Sequence, residues 1–321
     1  MLSVCSAVVI LFASCQIDEG NSSAHPFSSG AVVEQRPPQA RPCATATVAP
    51  PATTTRASSL SPPAIEFCIE TLSSLPGKFS LPKIQQICAE VRHMPECNSA
   101  LGKNIYHYQK DGKLGGLRIL VLGVMHGDEP MSGSLSRAWM ERLVDLLPRN
   151  SWRIIPVSNP DGLKLSTRTN ANGVDLNRNF PSKNWNGEAL AFWKRKEKRN
   201  PRRFPGKLPA GEKETVCIMK QILEFMPNLI VAIHTPLGVL DFDGPKVQYP
   251  AYKHLPWIRL GNFPGSLGRY MWHDRKVPVL TIELKGGDPL QKVVELDRLQ
   301  DISGVLATMA SRRGGPSVTD D

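Results

Sequence analysis

A chain of 321 residues, of which 41% are hydrophobic, is long and apolar enough to bury a sizeable core. Its length allows one large domain with additional segments, or two modest domains. No segment reaches the run of about eighteen apolar residues that a membrane-spanning helix needs, so no such helix is predicted. The formal net charge is +10, and most of it comes from a single stretch, residues 193–207.

The N-terminal segment, residues 1–15, is apolar and ends in small residues, a pattern typical of a secretory signal. No Lys or Arg precedes Arg36, so either the natural start lies upstream of Met1 or the signal is unusual. The sequence from Phe12 to Cys15 resembles the processing box of bacterial lipoproteins, which predicts a lipid anchor on Cys15. Plain signal cleavage and an unstructured apolar start are the alternatives. We expect an exported protein, either periplasmic or a membrane-anchored lipoprotein that faces the periplasm.

The segment that follows, residues 16–63, is rich in Pro, Ala, Ser and Thr and lacks apolar periodicity. It cannot bury enough surface to fold, so we predict a disordered linker. Residues 64–116 are interpreted as a small lead-in of helices and loops that carries cysteines. The main domain is expected over residues 117–313, with a short tail over residues 314–321.

Four cysteines lie in the part of the chain that is expected to fold: Cys68, Cys88, Cys97 and Cys217. In an oxidising compartment they could form two disulfides, in any of three connectivities. The alternative for Cys217, which lies on an apolar helical face, is a buried free thiol. Spacing alone does not decide between these possibilities.

From Leu117 onward the predicted strands and helices alternate. Apolar spacing predicts strands over 117–124, 152–157, 228–234 and 278–284, and helices over 130–147, 212–226 and 290–312. This alternation favours an α/β fold with a mixed, largely parallel sheet and helices on both faces, preceded by the disordered linker. In such sheets ligands bind beyond the carboxyl ends of the strands.

Several chemically active side chains lie at those strand ends. His126 and Glu129 occupy the turn after the first strand, and imidazole nitrogen with carboxylate oxygen suits zinc. His234 ends the apolar strand LIVAIH, where a lone core histidine is the alternative. Glu283 interrupts the apolar strand VLTIEL, where an unpaired carboxylate would be costly, so a nearby cation or metal site is expected.

A long polar loop over residues 159–185 is dense in Asn, Asp, Arg and Gly. Such a loop in a compact domain is more often functional than idle. Its arginines Arg168 and Arg178 could each bind a substrate carboxylate or stabilise an oxyanion. The alternative is a pair of solvated loop arginines.

Four motifs occur in order: HGDE, then NPDG through GVDLNRNFP, then AIHTPLG, then PVLTIEL. Together they resemble the zinc metallocarboxypeptidases of the carboxypeptidase A type. The sequences RTNANGVDLNRNFPSKNW and NFPGSLGRYMW are most similar to the bacterial murein peptide amidase branch of that family. The resemblance covers about residues 117–309, and it leaves out the linker, the lead-in and the basic stretch.

This resemblance implies one zinc ion per chain, held by His126, Glu129 and His234. Glu283 would be the general base that also moves the proton to the leaving nitrogen, and Arg168 would polarise the scissile carbonyl. Two further residues would bind the terminal carboxylate of the substrate: Asn177 and Arg178.

Two positions depart from the family pattern. The digestive members carry a mobile tyrosine upstream of the base, where residues 259–263 of this chain contain none. The substitutes left open are Tyr249, Tyr252 and Tyr270. The position that lines the family's side-chain pocket falls near Arg269, which would suit a substrate side chain with its own carboxylate, as in diaminopimelate.

The basic stretch, residues 193–207, carries eight basic residues against one acid. A solvated surface insert and an attraction to anionic peptidoglycan or lipid headgroups are both open. Nucleic-acid binding is not expected, because an exported zinc hydrolase leaves little room for it.

The motifs favour a zinc-dependent hydrolase of peptide or amide bonds. We expect the protein to be a monomer. The resemblance implies a murein peptide amidase that cuts the γ-D-glutamyl–diaminopimelate bond of cell-wall muropeptides. The alternatives are a metallocarboxypeptidase that removes a C-terminal residue from other peptides, and a non-catalytic cell-wall-binding protein. A complete set of ligands and base disfavours the last of these.

Overall fold

The computed structural model describes residues 61–286 and 293–313. The signal segment with Cys15, almost all of the linker, and the tail over residues 314–321 lie outside the described residues, so those predictions stay predictions. The first helix begins at Pro62, just inside the predicted end of the linker. No helix within the described ranges combines the length and apolar character that would let it cross a bilayer.

The described elements follow in chain order, with three short 3₁₀ or π turns left unlabelled. They are α1 Pro62–Ser74, α2 Leu81–Glu90, β1 Arg92–Asn98, β2 Asn104–Lys110, β3 Arg118–Leu122, α3 Pro130–Val144, β4 Ser151–Ile155, α4 Pro160–Leu165, α5 Trp185–Arg195, α6 Lys213–Phe225, β5 Leu229–His234, β6 Leu237–Asp243, β7 Val279–Lys285 and α7 Val293–Arg313.

Seven of these strands form one sheet in the order β1-β2-β4-β3-β5-β7-β6. The four central strands are parallel, and β1, β2 and β6 pair antiparallel at the two edges. The predicted mixed, largely parallel sheet is therefore confirmed. Each predicted strand and helix from residue 117 onward is present, with ends that shift by a few residues.

The interpretation of residues 64–116 as helices and loops is incomplete. Besides α1 and α2, this stretch supplies β1 and β2, and β2 pairs with β4 of the main sheet. The sequence RHMPECN of β1 contains a proline and mostly polar residues, which are depleted in strands, so apolar spacing did not indicate it. The lead-in is thus a structural part of the main domain.

Apolar side chains alternate along the central strands and build a core on each face of the sheet. In β3, Ile119 and Val121 pack in the cluster that contains residues of α2, α3 and α7. Leu120 and Leu122 point the other way, into the cluster that contains residues of α6. Helices therefore cover both faces, as a sheet buried on both sides requires.

Two disulfides are present in the described residues. One bridge, Cys68–Cys88, joins α1 to α2, and the other, Cys97–Cys217, joins β1 to α6. The interpretation of Cys217 as a free thiol is wrong, although its position on a buried helical face is confirmed. The second bridge links residues 120 positions apart, and it fastens the edge strand to the main domain.

Candidate active site

The turn after β3 is shaped by a close backbone contact. A Cβ atom on Gly127 would lie 1.9 Å from the carbonyl carbon of Gly162 at the start of α4, so only glycine fits there. The turn ends at Glu129, directly before Pro130, which begins α3. This close contact fixes the turn, and His126 and Glu129 therefore lie at the carboxyl ends of the parallel strands.

His234 reaches the same place from the next strand. It is the last residue of β5, which pairs in parallel with β3, so the two strand ends are neighbours. His126 Nδ1 lies 2.9 Å from Glu129 Oε1 and 3.1 Å from His234 Nδ1. His234 Nδ1 lies 3.0 Å from Glu129 Oε2. The three predicted ligands therefore converge, and all three are buried.

The donor set fits a zinc ion. Two ring nitrogens that face each other beside a carboxylate present lone pairs to a common point, which is what a cation requires. The other ring nitrogen of His126, Nε2, lies 3.0 Å from Asp175 Oδ1. A carboxylate on the far side of a ligating imidazole fixes the proton there and leaves the inner nitrogen as the ligand.

Asp175 is a residue of this site whose role the sequence did not indicate. It is fully buried, and besides His126 it accepts a hydrogen bond from Arg168 Nε at 3.1 Å. Arg168 also donates from Nη1 to Glu129 Oε1 at 3.2 Å. Asp175 therefore orients one metal ligand and the candidate carbonyl-polarising arginine at once.

Opposite charges control the ionisation of this cluster. Burial acts to raise the pKa of Glu129 and Asp175, but the surrounding cations outweigh it and hold the pKa of both carboxyls below the usual range. Burial likewise acts to lower the pKa of His126, and the charges of Glu129 and Asp175 raise it instead. A zinc ion at this site must therefore compete with protons for the imidazole.

Glu283 lies beside the three ligands on the neighbouring strand. In the parallel pairing of β5 with β7 it is opposite His234, so both side chains emerge at the same strand ends. It is half-buried, and its Oε2 lies 3.4 Å from the backbone nitrogen of Leu237. The predicted base is thus adjacent to the metal ligands and has no strong competing hydrogen bond among the described contacts.

The two predicted carboxylate-binding residues differ in their surroundings. Asn177 accepts a hydrogen bond from the backbone nitrogen of Leu267 at 2.9 Å, which holds its side-chain oxygen. Arg178 lies over the ring of Phe263 with its Cζ 4.4 Å from the centroid, and Nη1 donates to the carbonyl of Asn177. Burial lowers the pKa of Arg178, and its Nε has no hydrogen-bond partner within the described residues.

The remaining candidates, one arginine and three tyrosines, make no described contact with the metal ligands. Arg269 is half-exposed, and its described contact is made by the backbone nitrogen, which donates to Ser266 Oγ at 3.3 Å. Tyr252 donates to the carbonyl of Glu295 in α7, and the Tyr270 ring stacks on Phe180 in the core. Both rings are buried away from solvent. Of the three candidate tyrosines, only Tyr249 is exposed, at 44%, where it stacks on Trp257.

The basic stretch is folded rather than extended. The rings of Trp193 and Phe204 lie 4.9 Å apart, and Arg203 pairs with Glu197 inside the stretch. Arg202 Nη2 lies 2.6 Å from Asp128 Oδ2, inside the turn that carries the first two metal ligands. The basic stretch is therefore attached next to the metal site.

Comparison with known proteins agrees with this geometry. The family model described as zinc carboxypeptidase matches residues 96–240. Murein peptide amidase A of Escherichia coli strain K12 is 37% identical over 124 residues, 38% of this chain and 50% of that protein. Murein peptide amidase A of Vibrio campbellii is 31% identical over 182 residues, 52% of this chain and 69% of that protein.

A solved structure shows the same fold at low identity. The crystal structure of thrombin activatable fibrinolysis inhibitor has a TM-score of 0.56 at 14% identity, and the match covers 72% of each chain. The matched part of this chain spans only half the length of the Escherichia coli relative. The match covers 69% of the Vibrio relative, and all three converging ligands lie within residues 96–240, which the family model matches. The chain belongs to the zinc carboxypeptidase family.

Proposed function

We propose that this chain is a zinc-dependent hydrolase of amide bonds that acts on cell-wall peptides at the γ-D-glutamyl–diaminopimelate bond. The observation that carries the proposal is the convergence of His126, Glu129 and His234 beside Glu283 on the adjacent strand. Two relatives named murein peptide amidase A support the choice of bond. Zinc, when bound, supplies a Lewis acid that polarises a carbonyl and acidifies water.

Different residues of the chain then carry out proton transfer, oxyanion stabilisation and substrate binding. The Glu283 carboxylate takes a proton from the attacking water and delivers it to the departing amine, because it lies beside the ligands and its described contacts leave it able to accept. Arg168, held by Asp175 and Glu129, stabilises the developing oxyanion. Arg178 and Asn177 hold the free carboxylate of the residue after the scissile bond.

A digest of purified muropeptides, followed by mass spectrometry with and without a chelator, tests the proposal. We expect two products whose masses sum to the substrate plus one water, with a new amine on diaminopimelate, and restoration of the reaction by added zinc. Release of only D-alanine from a tetrapeptide, with the γ-D-glutamyl–diaminopimelate bond intact, would favour the metallocarboxypeptidase alternative. Binding of the muropeptides without any cleavage by zinc-loaded protein would favour the non-catalytic alternative.

The place of action is proposed to be outside the cytoplasm. The two disulfides suit an oxidising compartment such as the periplasm. A lipid on Cys15 followed by the 16–63 linker would give a tether with a typical reach of roughly 40 Å. Metabolic labelling with a radioactive fatty acid, lost in Cys15→Ser, would support the anchor, and label retained by that variant would exclude it. We expect a monomer by size-exclusion chromatography with light scattering.

A further inference from the structure

Most cations of the basic stretch, residues 193–207, are exposed and lack an acidic partner. Two of its eight basic side chains, Arg202 and Arg203, pair with Asp128 and Glu197. The other six form no ion pair within the described residues, and all are exposed; they are here called the basic face and are Lys194, Arg195, Lys196, Lys198, Arg199 and Lys207. Their charge is therefore available to an anionic partner.

The backbone that carries these charges folds back on itself. The Arg199 nitrogen donates to the carbonyl of Trp193 at 3.0 Å, and Trp193 Nε1 donates to the carbonyl of Asn200 at 2.8 Å. Residue 199 therefore returns to the last turn of α5, where Lys194 and Arg195 lie. Cations that are gathered on one short, folded segment act together on an anion.

The backbone of the stretch is hydrogen-bonded to the loop that carries the proposed carboxylate-binding residues. The Asp175 backbone nitrogen donates to the carbonyl of Phe204 at 2.8 Å, and Asn179 Nδ2 donates to the carbonyl of Pro205 at 2.9 Å. These two bonds lie on either side of Arg178 in the sequence. A peptide that reaches Arg178 therefore lies next to the basic stretch.

An aromatic ring makes a further connection between the two. Phe192 of α5, directly before the stretch, has its ring centroid 5.5 Å from that of Phe263. Arg178 Cζ lies 4.4 Å from the centroid of the same Phe263 ring. One ring thus contacts both the helix that ends in the basic face and the guanidinium that is proposed to bind the substrate carboxylate. The basic face and Arg178 are therefore neighbouring parts of one positively charged region.

The chemistry of this region fits a polymer with many carboxylates better than it fits a bilayer. In a γ-linked D-glutamyl peptide the α-carboxylate takes no part in the bond, so a cell-wall polymer repeats that charge on each of its peptides. Segments that lie on membranes insert aromatic or aliphatic side chains beside their cations. In the basic stretch the rings of Trp193 and Phe204 pack on each other instead, 4.9 Å apart. One peptide of the polymer can place a carboxylate on Arg178 while its neighbours contact the basic face.

We propose that the basic face binds the anionic cell-wall polymer and holds the active site against it, so that the protein acts on peptides that are still attached to the wall. This rests on the proposed function and specifies the form of its substrate. The basic face acts on association, because exposed cations raise the concentration of an anionic partner near the site and are screened by salt. Turnover of a small soluble peptide, once that peptide is bound, does not use the basic face.

The inference is tested by co-sedimentation with insoluble peptidoglycan sacculi whose peptides carry diaminopimelate. Zinc-loaded Glu283→Gln protein is used, so that binding is measured without cleavage. A fourfold variant, Lys194→Gln/Arg195→Gln/Lys198→Gln/Arg199→Gln, should bind about tenfold to a hundredfold more weakly, as for the loss of four exposed ion pairs. Binding through the intact basic face should weaken as salt rises from about 0.1 M to 1 M, which shortens the Debye length from about 10 Å to 3 Å. Sacculi whose carboxyl groups have been converted to amides should also bind weakly.

The matched control removes two lysine and two arginine charges from exposed positions outside the stretch and should bind as before: Lys78→Gln/Lys113→Gln/Arg149→Gln/Arg312→Gln. With Glu283 intact, the fourfold basic-face variant should keep its zinc, its circular dichroism and its kcat on a soluble tripeptide. The double variant Lys198→Gln/Arg199→Gln, which leaves α5 unaltered, should show an intermediate loss of binding. It keeps the test decisive if the fourfold variant does not fold.

Equal binding by the basic-face variants and the control, or binding that does not depend on salt, overturns the inference. Vesicles of phosphatidylcholine, with and without phosphatidylglycerol, test the membrane alternative, and binding to the anionic vesicles without binding to sacculi also overturns it. Charge-dependent binding to sacculi without cleavage of any muropeptide leaves the inference in place and overturns the proposed function. Normal cleavage of soluble muropeptides without charge-dependent binding to sacculi does the reverse.

Discussion

The charges around the metal ligands His126, Glu129 and His234, here called the metal side, are paired with one another. The proposed carboxylate-binding residues Asn177 and Arg178, here called the recognition side, differ in this respect. On the metal side, His126 contacts Glu129 and Asp175 at 2.9 and 3.0 Å, and Arg168 contacts the same two carboxylates at 3.2 and 3.1 Å. On the recognition side, Arg178 is also buried, at 7% exposure, but it forms no ion pair within the described residues.

This difference shows which part is built in advance and which part is completed by a ligand. Paired charges on rigid strand ends hold the metal ligands in place before any substrate arrives, which is the arrangement that catalysis by electrostatic preorganisation requires. Charges without partners cost stability in the free protein and become favourable only when an opposite charge enters. We therefore expect changes on the metal side to abolish chemistry, and changes on the recognition side to alter selectivity.

The largest effect is expected from removing a metal ligand. His126→Ala and His234→Ala should each lose the zinc, which in the wild type should amount to about one ion per chain, and activity should fall to background because catalytic zinc sites depend on three protein ligands. Metal content by mass spectrometry, with His254→Ala as a control away from the site, measures this. Full zinc in both ligand variants would contradict the site.

The next largest effect is expected from removing the general base while the metal stays bound. Glu283→Gln should keep the zinc and the fold and lose about two to three orders of magnitude in kcat, typical of removing a general base. Glu224→Gln, which changes an exposed glutamate on α6, is the matched control. Near-normal turnover of Glu283→Gln at unchanged zinc content would mean that another residue activates the water.

The metal side was largely predictable from the sequence, and its supporting residue was not. His126, Glu129 and His234 follow apolar strands that are buried on both faces, and such strands have a clear pattern. Asp175 lies in a polar loop, and only the folded chain brings it within hydrogen-bonding distance of His126, 49 positions away. No local spacing encodes a contact of that kind.

Strand β6 was harder to predict because its sequence is not typical of a strand. Asp241 and Asp243 interrupt β6, and aspartate is depleted in strands, so the element was missed. A signal was nevertheless present: two acids at alternate positions of VLDFD follow His234 closely, as Glu283 interrupts VLTIEL. Residues at alternate positions share one face of a strand, so the two acids mark one face of β6.

A smaller effect, on the recognition side, concerns the terminal carboxylate. A tripeptide that ends in diaminopimelate offers a free carboxylate to Arg178, whereas in a tetrapeptide D-alanine caps that group and moves the charge. The tripeptide should have the higher kcat/KM, and Arg178→Ala should erase most of a difference of roughly one to two powers of ten, the value of a charge-assisted contact.

The control for this substitution is Arg149→Ala, an exposed arginine just before the amino end of β4, whereas the site lies at the carboxyl ends of the parallel strands. Zinc content and circular dichroism of Arg178→Ala guard against a structural loss, since the side chain is buried over Phe263. Equal rates for both peptides in the wild type, or an unchanged preference in the variant, would show that Arg178 only braces its loop.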